Sequence, residues 1–239
     1  MNFDRAVILH GKPKPERFKD PRFDPSEANW LGWLSEELSK EGIVSVSPRL
    51  ERAYDHNDFQ RWVEQIREKT AFAQGKNGTS GSKHRKGSAL KQKDRVALIG
   101  HSAAAAVYLR WLSGTRSSDG FFSGSSGTMC VRPDALILVA PWLGLDPKYG
   151  SLSKVEIDPG LSERIGTIKL VHCNQDVDGG VPESIERIMD TLKLGDDSLI
   201  ELNGYGHFMT DNKMDPDYDL GNGLMGSTFP ELINILERI

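Results

Sequence analysis

Six short apolar runs punctuate the chain: AVILH (6–10), IVSVS (43–47), RVALIG (95–100), ALILVA (135–140), TIKLVH (167–172) and SLIEL (198–202). Most are continuous rather than alternating, the pattern of strands buried on both faces of a parallel sheet. Between them the apolar spacing becomes helical. Trp30, Leu34 and Leu38 recur every fourth residue, with Ser26 available as a cap. Phe59, Trp62 and Ile66 line up after YDHND. Ile185, Ile188 and Leu192 follow Pro182, which suits a first helical turn, and Gly195 stands where that helix should end. Thr228 and Glu231 have capping-box spacing, and Phe229, Leu232, Ile233 and Leu236 give the last helix its apolar face. Strand and helix alternate throughout. With right-handed crossovers this predicts an α/β fold: a doubly wound, mostly parallel six-stranded sheet with helices on both faces. No repeat or composition boundary divides it, so residues 1–239 read as a single domain.

Two segments depart from the alternation. Residues 74–94 and 113–127 are rich in Gly and Ser and have the composition of loop insertions. The first is also basic, with Lys76, Lys83, Arg85, Lys86, Lys91 and Lys93 against Asp94. It could touch RNA, lipid or an acidic partner, but no aromatic residue interleaves the charges as single-strand nucleic-acid binding requires, and a solvated insertion is the simpler reading. The whole chain has 239 residues and a net charge of -4, too mildly acidic to argue for nucleic acid or an anionic membrane. No apolar run has transmembrane length, and MNFDRAVILHG does not read as a signal peptide. Cys130 and Cys173 lie far apart and form no CxxC pair, so a reducing, cytoplasmic location is expected, with no disulfide framework. The acids form no metal-binding pattern: DPDYD lacks the EF-hand spacing. No metal or other cofactor is expected.

The candidate chemistry starts in VALIGHSAAAAVYLRWL (96–112). A buried strand stops at Gly100, and Ser102 falls on the sharp turn into an alanine-rich helix. In open α/β sheets ligands bind beyond the carboxyl ends of the strands, and a helix N-terminus there offers unpaired N–H groups. This is a G-x-S-x-G nucleophile elbow, except that Ala104 replaces the last glycine. A serine hydroxyl needs a base, and the elbow predicts an acid and a histidine after later strands. CNQDVDGGVP (173–182) supplies Asp176 and Asp178; NGYGHF (203–208) supplies His207. Asp178, nearer the helix start, is the preferred acid and Asp176 the alternative. The oxyanion hole needs two backbone donors. Ala103 is one. Lys12, with Gly11 as alternative, is the other, from HGKPKP after the first strand; Pro13 has no N–H to give.

Taken together, ILHG (8–11), GHS (100–102), DGGVP (178–182) and GHF (206–208) resemble the α/β-hydrolase family, and more narrowly the small serine hydrolases of the retinoblastoma-binding protein nine type. The resemblance covers most of the chain outside the two insertions. It implies a minimal α/β hydrolase with Ser102, Asp178 and His207 as its triad. The LxCxE motif that would suggest retinoblastoma-protein binding is absent around both cysteines, so that partner is not carried over.

The expected activity is therefore cleavage of a small ester, thioester or amide through an acyl-enzyme. The alternative is a catalytically silent hydrolase-fold protein that binds a partner through its basic loop. Residues 141–166 are too short and proline-rich for a helical lid, which favours small acyl substrates. Trp142, after the fourth strand, is a candidate for lining their pocket. Among the remaining histidines, His101 should pack beside the elbow, His10 should bond backbone at a strand end, and His172 should be a satisfied core residue.

Overall fold

Each of the six apolar runs is a strand in the computed structural model: β1 (Arg5–Leu9), β2 (Val44–Val46), β3 (Val96–His101), β4 (Ala135–Val139), β5 (Thr167–Cys173) and β6 (Leu199–Leu202). The structure describes residues 1–12, 23–50, 61, 62, 65, 66, 95–113, 133–144, 155–176, 180–208 and 228–239. The basic segment 74–94, residues 114–127 of the second insertion, Phe59, Cys130 and Asp178 lie outside them. The strands form one sheet in the order β2-β1-β3-β4-β5-β6, and every pairing is parallel.

Successive strand residues face opposite sides of a sheet, so a strand buried at every position must be covered on both. That holds for β1, β3 and β4, where all residues are buried, and it explains their unbroken apolar sequences. The edge strands β2 and β6 are only partly buried, and their sequences admit Ser45 and Glu201. The chain runs from β1 outward to β2, then returns to β3 on the other side of β1. The order reverses between β1 and β3. A crevice opens outside the carboxyl ends of strands at such a switch point.

The helices are α1 (Leu31–Lys40), α2 (Ala104–Ser113), the single turn α3 (Leu161–Arg164), α4 (Val181–Leu192) and α5 (Pro230–Glu237). Trp62 and Ile66 are also helical and buried. Three helix ends differ from expectation. Ser26 does not cap α1: its N–H and Oγ–H both go to the Asp24 carboxylate, an Asx turn that satisfies the serine locally. Thr228 is exposed and α5 begins after Phe229 without a side-chain cap bond. Helix α4 ends at Lys193, which takes the left-handed conformation at φ 51°, two residues before Gly195. Pro182 does sit in the first turn of α4. No helix among the described residues is long and apolar enough to cross a membrane.

Tyr108 ties α2 to the sheet. Its ring is fully buried, and its hydroxyl donates to the Val7 carbonyl of β1 at 2.8 Å. Burial pushes the phenol pKa well above its ordinary value, so it stays a donor. Tyr108→Phe removes a buried donor from a carbonyl that water cannot reach, at an expected cost of about 1–3 kcal/mol. Urea unfolding should show a lower midpoint with an unchanged slope.

Candidate active site

Strand β3 runs one residue beyond its apolar pattern, through His101, and Ser102 follows with φ 54°. This left-handed conformation is costly for a residue with a Cβ and persists only where its surroundings fix it. They do. Ser102 N–H donates to Val139 O at 2.9 Å, and Ser102 O accepts from Ala105 N–H at 3.0 Å and Trp142 N–H at 3.2 Å. The end of β4 and the first turn of α2 thus grip the serine from both sides, leaving its side chain projecting from the turn.

Close approaches explain the flanking residues. A Cβ on Gly100 would lie 2.9 Å from the Tyr108 ring and 3.2 Å from Ala104 Cβ. The methyl group of Ala104, where the elbow pattern has glycine, therefore fits because Gly100 lacks one. A Cβ on Gly11 would lie 2.9 Å from Ser102 Cβ and 3.2 Å from His101 O. The loop after β1 consequently passes directly over the serine. Gly11 and Lys12 are half-buried there. Ala103 is fully buried, and no described residue accepts a hydrogen bond from its N–H.

His207 lies on the turn after β6. Ser102 Oγ–H donates to His207 Nε2 at 2.9 Å, and His207 Nδ1–H donates to both oxygens of Asp176 at 3.0 and 2.9 Å. The His207 and Asp176 side chains are only 4% and 2% exposed, so water competes little for the pair. The carboxylate that reaches His207 is thus Asp176, the second choice of the sequence analysis; Asp178 lies outside the described residues. The reason is local. Strand β5 extends through Cys173, and Asp176 N–H bonds back to Cys173 O at 3.0 Å in a tight turn. That turn carries Asp176 toward the neighbouring β6 loop.

The acid and histidine turns are also fastened to each other. Asn174 N–H donates to Leu202 O, Gly204 N–H to Gln175 Oε1 at 3.1 Å, and Tyr205 N–H to Cys173 Sγ at 3.4 Å. Nothing in the sequence marked Gln175 for this part, since its partner is a backbone amide 29 residues away. Cys173 is buried, with a free thiol. Ser184 Oγ receives the Leu143 N–H, linking α4 to the loop after β4.

His101, beside the elbow, donates Nε2–H to the His207 carbonyl at 2.9 Å. Burial above all, then the nearby His207 and His10, lowers its pKa to about 3. His10 bonds backbone at the end of β1: Nδ1–H donates to Gly11 O and Nε2 accepts the Leu50 N–H. His172 is not a core residue. Its side chain is partly exposed on β5 and stands 3.4 Å from Glu201 on the edge strand β6. Trp142 is buried, and its amide serves the serine turn. No group of three or more His, Cys, Asp and Glu among the described residues is arranged to hold a metal ion.

No protein-family model matches the sequence, and no curated protein matches it. Several solved structures do match in three dimensions. The ydeN gene product from B. subtilis is 15% identical, over 98% of this chain and 97% of that one, with a TM-score of 0.61. A CE1 ferulic acid esterase from the anaerobic fungus Anaeromyces mucronatus is 16% identical, over 87% and 73%, with a TM-score of 0.51. Esterase B from Lactobacillus rhamnosis, solved with a tributyrin phosphonate, is 12% identical, over 100% and 76%, with a TM-score of 0.51. At these identities the likeness is one of fold: the chain has the α/β-hydrolase fold.

The depressed pKa of His101 makes a stability prediction. The unfolded chain takes up this proton below about pH 6.5, whereas the folded chain resists it down to about 3. Between those values the unfolded state binds more protons, so this residue's contribution falls as pH falls. The Tm of the wild type should drop relative to that of His101→Gln between pH 6.5 and 4; a constant difference would mean that His101 is not buried neutral.

Proposed function

We propose that the chain is a serine hydrolase that cleaves a small ester, thioester or amide through an acyl-enzyme. One observation carries this reading: the hydrogen-bond chain from Ser102 Oγ through His207 to both oxygens of Asp176. Ser102 attacks the substrate carbonyl while His207 Nε2 takes its proton. Asp176 holds the tautomer in which Nε2 is free to accept, and it stabilises the imidazolium that forms. His207 then protonates the leaving group. Water repeats the sequence on the acyl-enzyme and releases the acid, regenerating Ser102.

Negative charge on the substrate oxygen needs donors already in place. The Ala103 N–H, adjacent to the nucleophile, is one donor in this reading, and the Lys12 or Gly11 N–H from the loop over the serine is the other. The α2 N-terminus adds its partial positive charge. Trp142, whose main chain touches Ser102, would border the acyl group. The esterases among the fold relatives agree with this chemistry, and the short 141–166 connection favours small acyl substrates over long lipids.

Hydrolysis of p-nitrophenyl acetate and butyrate tests the reading. Ser102→Ala and His207→Ala should each lower kcat at least about 10³-fold, and Asp176→Asn by about 10³–10⁴-fold through the wrong tautomer. Asp178→Asn should stay within a few-fold of wild type. Unchanged turnover in Ser102→Ala would refute the mechanism, and loss in Asp178→Asn alone would reassign the acid.

A further inference from the structure

Two ring N–H groups converge on the main chain of the histidine turn. His101 Nε2–H donates to the His207 carbonyl at 2.9 Å, and Trp30 Nε1–H donates to the next carbonyl, that of Phe208, at 3.0 Å. Both rings are buried and meet edge to face at 5.8 Å. They come from different parts of the chain. His101 is the last residue of β3 and the immediate neighbour of Ser102, and Trp30 is the residue before α1.

The turn they hold is strained. Gly204, Gly206 and Phe208 all have positive φ, and the 55° of Phe208 is unfavourable for a bulky side chain. Phe208 N–H bonds back to Tyr205 O, and the two rings stack at 5.4 Å. Something outside the turn must keep it from relaxing, and the two ring donors are placed to do so. The His101 bond adds a main-chain link between base and nucleophile beside their direct side-chain bond, because His101 is the residue next to Ser102.

We propose that His101 is a positioning residue of the triad: with Trp30, it clamps the His207 turn at hydrogen-bonding distance from Ser102. This rests on the serine-hydrolase reading. Neutrality suits the task. The His101 and His207 rings are 5.3 Å apart, and His207 must become an imidazolium during each attack. A second cation at that distance would oppose it. The groups that act electrostatically on His101 are His207 on the β6 turn and His10 at the end of β1; Trp30, from the α1 side, is uncharged. Burial keeps His101 uncharged across the working range.

The test compares His101→Leu, His101→Gln and Trp30→Phe in the full chain, with Ser102→Ala alongside. Glutamine keeps an N–H donor near the Nε2 position; leucine fills the space without one. Steady-state kinetics on p-nitrophenyl butyrate should show kcat for His101→Leu reduced about tenfold or more, since small misplacements of catalytic groups are costly. KM should stay within about twofold, and His101→Gln should recover most of the rate. Proton NMR gives a readout that needs no turnover: the deshielded His207 Nδ1–H signal should broaden or vanish in His101→Leu and persist in His101→Gln.

A folded His101→Leu protein with wild-type kcat and an unaltered signal would overturn the clamp. Equal damage in the leucine and glutamine variants would reduce His101 to packing, which also overturns it. If His101→Leu does not fold, Trp30→Phe, which removes one donor and keeps a ring, is read in its place: a reduced kcat with a broadened His207 signal supports the clamp, and a wild-type kcat with an unaltered signal overturns it. Activity surviving in Ser102→Ala would refute the hydrolase reading alone, and the NMR arm would still decide the clamp.

Discussion

Ser102 sits in a backbone conformation it would not choose, and the surrounding structure is arranged to keep it there. A left-handed serine costs on the order of 1–3 kcal/mol, and that cost is borne only because three main-chain bonds hold both of its peptide groups. Those bonds recruit Val139 at the end of β4, Trp142 just beyond it and Ala105 in α2. Between Val139 and Trp142 the chain itself turns through a left-handed Ala140, whose N–H is secured by Val171 O of β5. The turns that end β3 and β4 are therefore bonded to each other, and the second is bonded to β5. The small residues follow from the same constraint. Gly100 and Gly11 leave room for the Tyr108 ring and for Ser102 itself, and Ala104 occupies the space that Gly100 vacates.

The second half of the site is assembled in a different way. The acid and histidine turns leave the adjacent strands β5 and β6, and are joined by bonds from Asn174, Gly204 and Tyr205 before the Asp176–His207 contact is counted. Aromatic rings back the histidine turn: Tyr205, Phe208, Phe229 and Trp30 lie within 5.2–5.5 Å of one another in successive contacts. The Tyr205 pKa is pushed up to about 12, by burial first and then by the nearby Glu231 carboxylate of α5. The elements meet at the sheet's reversal between β1 and β3, where the loop bearing Gly11 crosses over the elbow.

The sheet was legible because its inner strands are buried on both faces and must be apolar at every position. Ser102 and His207 were legible because their turns need small or glycine neighbours at strand ends. Which carboxylate faces His207 was not legible, because apolar periodicity does not fix where β5 stops: Asp176 reaches the histidine, and Asp178 lies outside the described residues. The capping expectations failed where a closer partner outcompeted the helix end: Asp24 took Ser26. The contacts made by His101, Trp30 and Gln175 were beyond reach for another reason. Each joins a side chain to a backbone group tens to hundreds of residues away, and a backbone group has no residue identity to read.

The central claim is that Ser102 is an activated nucleophile, and covalent capture tests it most directly. The protein would be treated with a fluorophosphonate and its peptides mapped by mass spectrometry. The account predicts a single phosphonyl adduct on Ser102, lost in His207→Ala. A folded wild-type protein that takes no label, or takes it on another residue, would contradict it.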